Sequence, residues 1–107
     1  MWNVRKWILH NRCIFYLRSG VRWLPQNAKM HYNYANLMKD KNHSEAAVYH
    51  YKEAIRLWWN YPSAFNNLGT VLQQQGDDNL AEWHFAVALQ LHPKHSRAAF
   101  NLVSLWR

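Results

Sequence analysis

Cysteine, glycine and proline are scarce in this chain. A single cysteine, Cys13, excludes an intramolecular disulfide framework and a cysteine-based zinc site. Three glycines and three prolines exclude collagen-like and low-complexity chains. No apolar run exceeds five residues, as in Cys13 to Leu17, whereas a bilayer-spanning helix needs roughly 20. Near the start, Trp7-Ile8-Leu9 stops at His10, short of the roughly 7–15 apolar residues of a secretory signal. Acidic residues are also few, six against 13 Lys and Arg, for a net charge of +7.

What is present points to one small folded domain. The chain has 107 residues, half of them apolar and 16% aromatic, with seven Trp and six Tyr. That aromatic load excludes an intrinsically disordered chain. The positive charge is uneven. Arg5, Lys6, Arg12, Arg18 and Arg22 stand in residues 1–24 with no acid beside them, and the remainder is nearly balanced. A basic nucleic-acid face across the whole domain is therefore not expected.

Shifting the sequence by 34 residues aligns it with itself without a gap. Asn33 falls on Asn67 and Asn101, and Tyr34 on Leu68 and Leu102. Ala35 falls on Gly69, Ala47 on Ala81, Tyr51 on Phe85, Ala54 on Ala88 and Leu57 on Leu91. Small residues meet small ones and aromatics meet aromatics. Leu68 and Leu72 lie four apart, so they share one helical face. Gly69 and Ala81 are small enough to let two helices approach closely. Gly76 can take positive φ and end a helix, and Pro93 ends the next.

This period and content resemble the tetratricopeptide repeat, a helix–turn–helix unit. Helices are predicted at 28–41, 44–58, 62–75, 78–91 and 96–106, with residues 12–24 as the second helix of an incomplete repeat. The predicted fold is an all-α right-handed superhelix, an α-α solenoid of two full repeats flanked by two half repeats. Its parts are a basic non-repeat segment at 1–11, a half repeat at 12–27, repeats at 28–61 and 62–95, and a half repeat at 96–107. Trp59 replaces the helix-ending proline of the first repeat, so that helix is expected to run on through Trp58. Asn42 replaces the turn glycine, which Asn tolerates.

Local strings narrow the resemblance. Asn27-Ala28-Lys29-Met30-His31-Tyr32-Asn33-Tyr34-Ala35-Asn36, preceded by Arg18 to Pro25, resembles the first repeats of the transmembrane-and-TPR protein O-mannosyltransferases. Tyr49-His50-Tyr51, Asn66-Asn67-Leu68-Gly69-Thr70 and Leu91-His92-Pro93 do so too. The resemblance implies a repeat region in the endoplasmic reticulum lumen, beside a membrane region that transfers mannose from a dolichol-linked donor to Ser and Thr. It thus implies the accessory half of such an enzyme, with no catalysis by this chain. If the 107 residues are made alone, a cytoplasmic location is expected.

First helices of such repeats line a concave face. The ladder Asn33, Asn67, Asn101 would stand there, and a carboxamide can pair with both the N–H and the C=O of an extended peptide. Tyr32, Asn36, Asn66, Thr70, Phe100 and Ser104 share that face by helical spacing. The competing reading is that the asparagines bond to a neighbouring helix. A two-carboxylate clamp is disfavoured: Asn36, Asn67 and Arg97 match it in kind, but Tyr32 and Asn101 stand where cations are needed. The expected partner is a protein or extended peptide.

Other sites are weaker. Seven histidines do not make a metal site, because no carboxylate or cysteine completes one. No nucleophile–base set is visible, and no cofactor is expected. Asn42-His43-Ser44 is a sequon for N-glycosylation, placed in an expected turn. Residues 1–24 have two readings: a cap under the first repeat through Phe15, Leu17 and Trp23, or a basic aromatic helix on a membrane surface or nucleic acid. The cap is preferred for residues 12–24. Self-association through 96–107 is expected, because Val103 and Trp106 lack a covering helix.

Overall fold

The computed structural model describes residues 24–106, with side chains from Asn27 onward. Five α-helices follow one another: α1 (Leu24–Asp40), α2 (Ser44–Leu57), α3 (Pro62–Gln74), α4 (Asp78–Leu91) and α5 (Ser96–Leu105). There is no strand among the described residues. The expected segment 1–11, most of the half repeat 12–27, Cys13 and the cap residues Phe15, Leu17 and Trp23 lie outside them.

The turns within the two repeats are built alike. Asn42 at φ 62° and Gly76 at φ 87° each place a left-handed residue just after a helix. The N–H of Asn42 bonds to the carbonyl of Lys39 and that of His43 to Met38; Gly76 and Asp77 bond to Gln73 and Leu72 in the same way. These paired bonds satisfy carbonyls that the helix end would leave orphaned. Asp77 then caps α4, accepting from the Leu80 N–H at 3.2 Å. At Gly76 an added Cβ meets nothing within 4 Å, so only the backbone opposes substitution. Gly76→Ala should cost about 1 kcal/mol and Gly76→Asn less, as thermal melts of the two variants will show.

Two boundaries differ from expectation. Helix α2 does not run on through Trp58: it ends at Leu57, and Trp58 turns out at φ −143°, ψ 89°. His92, one repeat later, has almost the same geometry, φ −144°, ψ 90°. The stop is therefore common to both repeats and does not need a following proline such as Pro93. Pro62 opens α3 and restricts Tyr61 to extended backbone, which leaves Trp58–Tyr61 to reverse the chain. Second, α1 begins at Leu24 and not at residue 28. Residues 24–27, expected to close the preceding half repeat, open α1 instead. Pro25 fits there because the first turn of a helix needs no backbone N–H donor.

The helices pair within each repeat, α1 with α2 and α3 with α4, and the pairs join through α2–α3 and α4–α5. The first helices also touch one another, α1 to α3 and α3 to α5, and so form the inner layer. One core runs through the array, with Ala35, Ala47, Tyr51, Leu68, Val71, Ala81 and Phe85 fully buried. Small residues set the helix spacing: a Cβ on Gly69 would stand 2.6 Å from the Phe85 ring. The equivalent pair of the first repeat, Ala35 and Tyr51, is likewise fully buried. Helix α5 closes against α4 through Ala98, which packs with Phe65 and Ala88.

Candidate functional site

The inner layer carries a run of polar side chains from α1 across α3 to α5. Both N–H bonds of the Asn67 carboxamide point back to α1, to Tyr32 Oη at 3.0 Å and Asn36 Oδ1 at 2.9 Å. Asn36 also accepts from the Tyr51 hydroxyl, which rises from α2. Asn66 donates to Asn67 Oδ1 at 3.2 Å, and Asn101 donates to Asn66 Oδ1 at 2.9 Å. The two bridges, Asn67 to Tyr32 and Asn101 to Asn66, each span 35 residues. Of the ladder asparagines, Asn67 thus ties α3 to α1 and Asn101 ties α5 to α3.

Burial governs the charge states here. Burial pushes the Tyr51 hydroxyl well above the usual phenol range, so it stays a neutral donor to Asn36. Burial also raises Tyr61, and Tyr32 adds to it; the two rings lie 4.9 Å apart. Thr70 and Ser104 hydroxyls donate to carbonyls of their own helices, Asn66 at 3.1 Å and Phe100 at 2.9 Å.

A groove of about 390 Å³ opens over this layer, lined by Lys39, Asn66, Asn67, Thr70, Ser96, Arg97, Phe100 and Asn101. It gathers five of the residues expected from helical spacing: Asn66, Asn67, Thr70, Phe100 and Asn101. Tyr32 and Asn36 sit beside them as hydrogen-bond partners, while Asn33 and Ser104 do not line it. Asn33 is exposed and makes no side-chain hydrogen bond among the described residues. Lys39 and Ser96 were not anticipated. The available signal was spacing: Lys39 follows Asn36 by three, and Arg97 precedes Asn101 by four.

The asparagines are not equivalent. Asn67 has both donors committed, so it cannot grip a peptide carbonyl. Asn101 uses one donor, and its carboxamide oxygen, with no partner among the described residues, can accept a backbone N–H. Asn67→Ala would orphan part of the Tyr32–Asn36–Asn66 set and should cost about 1–3 kcal/mol, read from chemical denaturation. Asn33→Ala should be close to neutral in the same assay.

A smaller cavity of about 180 Å³ lies between α1 and α2, lined by Asn27, Met30, His31, Tyr34 and His50. There the Nδ1 atoms of His31 and His50 approach to 2.9 Å. No three of His, Cys, Asp or Glu gather as a metal site among the described residues. Burial, then the His31 charge, lowers His50 below the usual histidine range, with Glu53 opposing. Burial, helped by Lys52, also lowers His84, while its hydrogen bond to the Leu80 carbonyl at 2.8 Å opposes the shift. Both therefore bind protons more readily when unfolded, where the pKa is about 6.5. Their stabilisation is present above that value and is lost as pH falls below it. Melting temperature should drop between about pH 7 and pH 5, and the His50→Gln/His84→Gln variant should show a shallower drop.

Asn42 is exposed in the α1–α2 turn. No helix among the described residues is long and apolar enough to cross a membrane.

Comparison with known proteins agrees with this architecture. A family model described as a TPR repeat matches residues 35–76. Over 60 residues the chain is 50% identical to the protein O-mannosyl-transferase TMTC1 of Mus musculus, covering 56% of this chain and 6% of that protein. The Homo sapiens TMTC1 matches equally well, with 7% of it covered. The human protein O-mannosyl-transferase TMTC2 is 39% identical over 72 residues, 67% of this chain and 9% of that protein. The chain thus spans less than a tenth of the length of these relatives. Its repeat period, paired helices and matched segment make it a tetratricopeptide-repeat solenoid, similar in sequence to the repeat region of the protein O-mannosyl-transferases.

Proposed function

We infer that the chain is a protein-binding module that holds an extended peptide along the inner layer of α1, α3 and α5. The observation that carries this reading is the groove of about 390 Å³, in which Phe100, 70% exposed, stands beside the carboxamide oxygen of Asn101, unpartnered among the described residues. An exposed aromatic next to unused hydrogen-bond capacity suits a backbone ligand with one apolar contact. By similarity to the protein O-mannosyl-transferases, the module serves in the endoplasmic reticulum lumen, beside a transferring region that it does not itself supply. The Asn42 sequon is then available to the glycosylation machinery.

A peptide array probed with the 107-residue chain tests the groove. Phe100→Ala, which leaves the Asn101–Asn66 bridge in place, should lose the bound peptides while its melting temperature stays close to that of the parent. An array on which the parent and the variant retain the same peptides would sink the reading. The purified chain should also show no mannosyl transfer from dolichyl-phosphate mannose to a Ser/Thr acceptor.

A further inference from the structure

Charge is sorted between the two layers. The outer helices carry Glu45 and Glu53 on α2, and Asp78 and Glu82 on α4, against Lys52 and Arg56 on α2, with Asp77 as the α4 cap. The inner layer has one acid, Asp40, against Lys29, Lys39 and Arg97; α3 has no charged residue at all. Lys39 and Arg97 belong to helices on opposite sides of α3, yet they line the same groove. No acid lines it with them. The ion pair present among the described residues is Arg56–Glu53 on α2, so neither groove cation has an ion-pair partner among them. Asp40 adjoins Lys39 in sequence, and neighbours in a helix do not face each other.

Between the two cations the groove presents carboxamides from Asn66, Asn67 and Asn101. Asn66 and Asn67 are bonded to each other and to the neighbouring helices and hold a fixed polar surface. A lone cation pair over such a surface favours a single anionic group, which arginine holds with a planar fork and lysine as a point charge. Resting on the peptide-groove reading, we propose that the groove selects an acidic side chain in the bound peptide. Lys39 and Arg97 are the specificity-determining residues. The carboxylate is that of a Glu or Asp within the peptide and not the peptide's own terminus.

The test uses the full chain and three labelled probe peptides, read by fluorescence anisotropy at about 150 mM salt, where charges are screened beyond ~8 Å. One peptide alternates glutamate with serine and has both ends blocked. Its twin carries glutamine for glutamate, and a third is that twin with a free C-terminus. The glutamate peptide should bind at least about fivefold more tightly than the blocked twin. Lys39→Gln/Arg97→Gln should erase the difference, and Lys39→Arg/Arg97→Lys should keep it. Lys52→Gln/Arg56→Gln, which removes the same charge from the outer helix α2, should also keep most of it.

If both blocked peptides bind the parent equally, the groove reading stands and the acidic preference falls. If neither binds, the groove reading fails and takes this one with it. Equal losses in the two charge-matched glutamine variants would assign the attraction to the overall charge of +7 and overturn the proposal. Recovery of full affinity by the free C-terminus would overturn the side-chain assignment.

Discussion

Replacing Gly69 by alanine should destabilise the fold by about 2–3 kcal/mol, the cost of forcing an extra methyl into a filled core. The added Cβ would lie 2.6 Å from Cε1 and 2.8 Å from Cδ1 of Phe85. That ring is fully buried, so it has no free space to turn into. The loss is large beside the roughly 5–15 kcal/mol that a domain holds. Shortening the partner should relieve it. In a double-mutant cycle Gly69→Ala/Phe85→Leu should be clearly more stable than the sum of its two single variants. Strict additivity, measured by denaturant titration, would mean that α3 and α4 do not approach each other as closely as the structure has them.

The second large effect concerns α5. Two positions can be compared across the three first helices. Ala35 and Gly69 are buried, whereas their equivalent Val103 is 57% exposed. Met38 and Leu72 are at most 9% exposed, whereas their equivalent Trp106 is 64% exposed. Both residues therefore stand on the side of α5 that a second helix covers in the other two repeats. Appending a designed helix with a polar outer face after Arg107 should bury them, and it should stabilise the chain by about 2–4 kcal/mol. At roughly 4–8 °C per kcal/mol for a domain of this size, the rise in melting temperature is unmistakable. The uncapped chain should self-associate at tens of micromolar in sedimentation, and the capped one should be a monomer. An uncapped chain that is already monomeric, with an unchanged melting temperature after capping, would show that this face needs no cover.

The fold was legible because its instructions are local and repeated. The match of Gly69 to Ala35 and of Phe85 to Tyr51 marks helices that must approach closely, whatever lies around them. Asn42 and Gly76 declared the turns through backbone conformation alone. The end of α2 was misread because a proline was taken as the cause of the stop. The repeat stops at Trp58 as it does at His92, through geometry that both residues can adopt. The site was legible as a face and not as a set of bonds. The 34-residue period brings Asn67 and Asn101 to one side, with Asn66 next to them. It does not say that Asn67 turns both donors towards Tyr32 and Asn36, since that depends on the distance between α1 and α3. Lys39 was missed for the same reason: its reach into a groove shared with α5 is a property of the stacked helices.

The carboxamide bridges also have a mechanical meaning. Asn67 fastens α3 to α1 and Asn101 fastens α5 to α3, all on the inner layer. Among the described residues no hydrogen bond joins the outer helices α2 and α4 to each other. An array fastened along one edge and loose along the other behaves like a hinged strip. Its soft motion is a change in curvature, with the asparagine line as the pivot. Flexing then opens or closes the gaps between outer helices while the inner spacing, and with it the repeat distance offered to a bound chain, stays nearly constant.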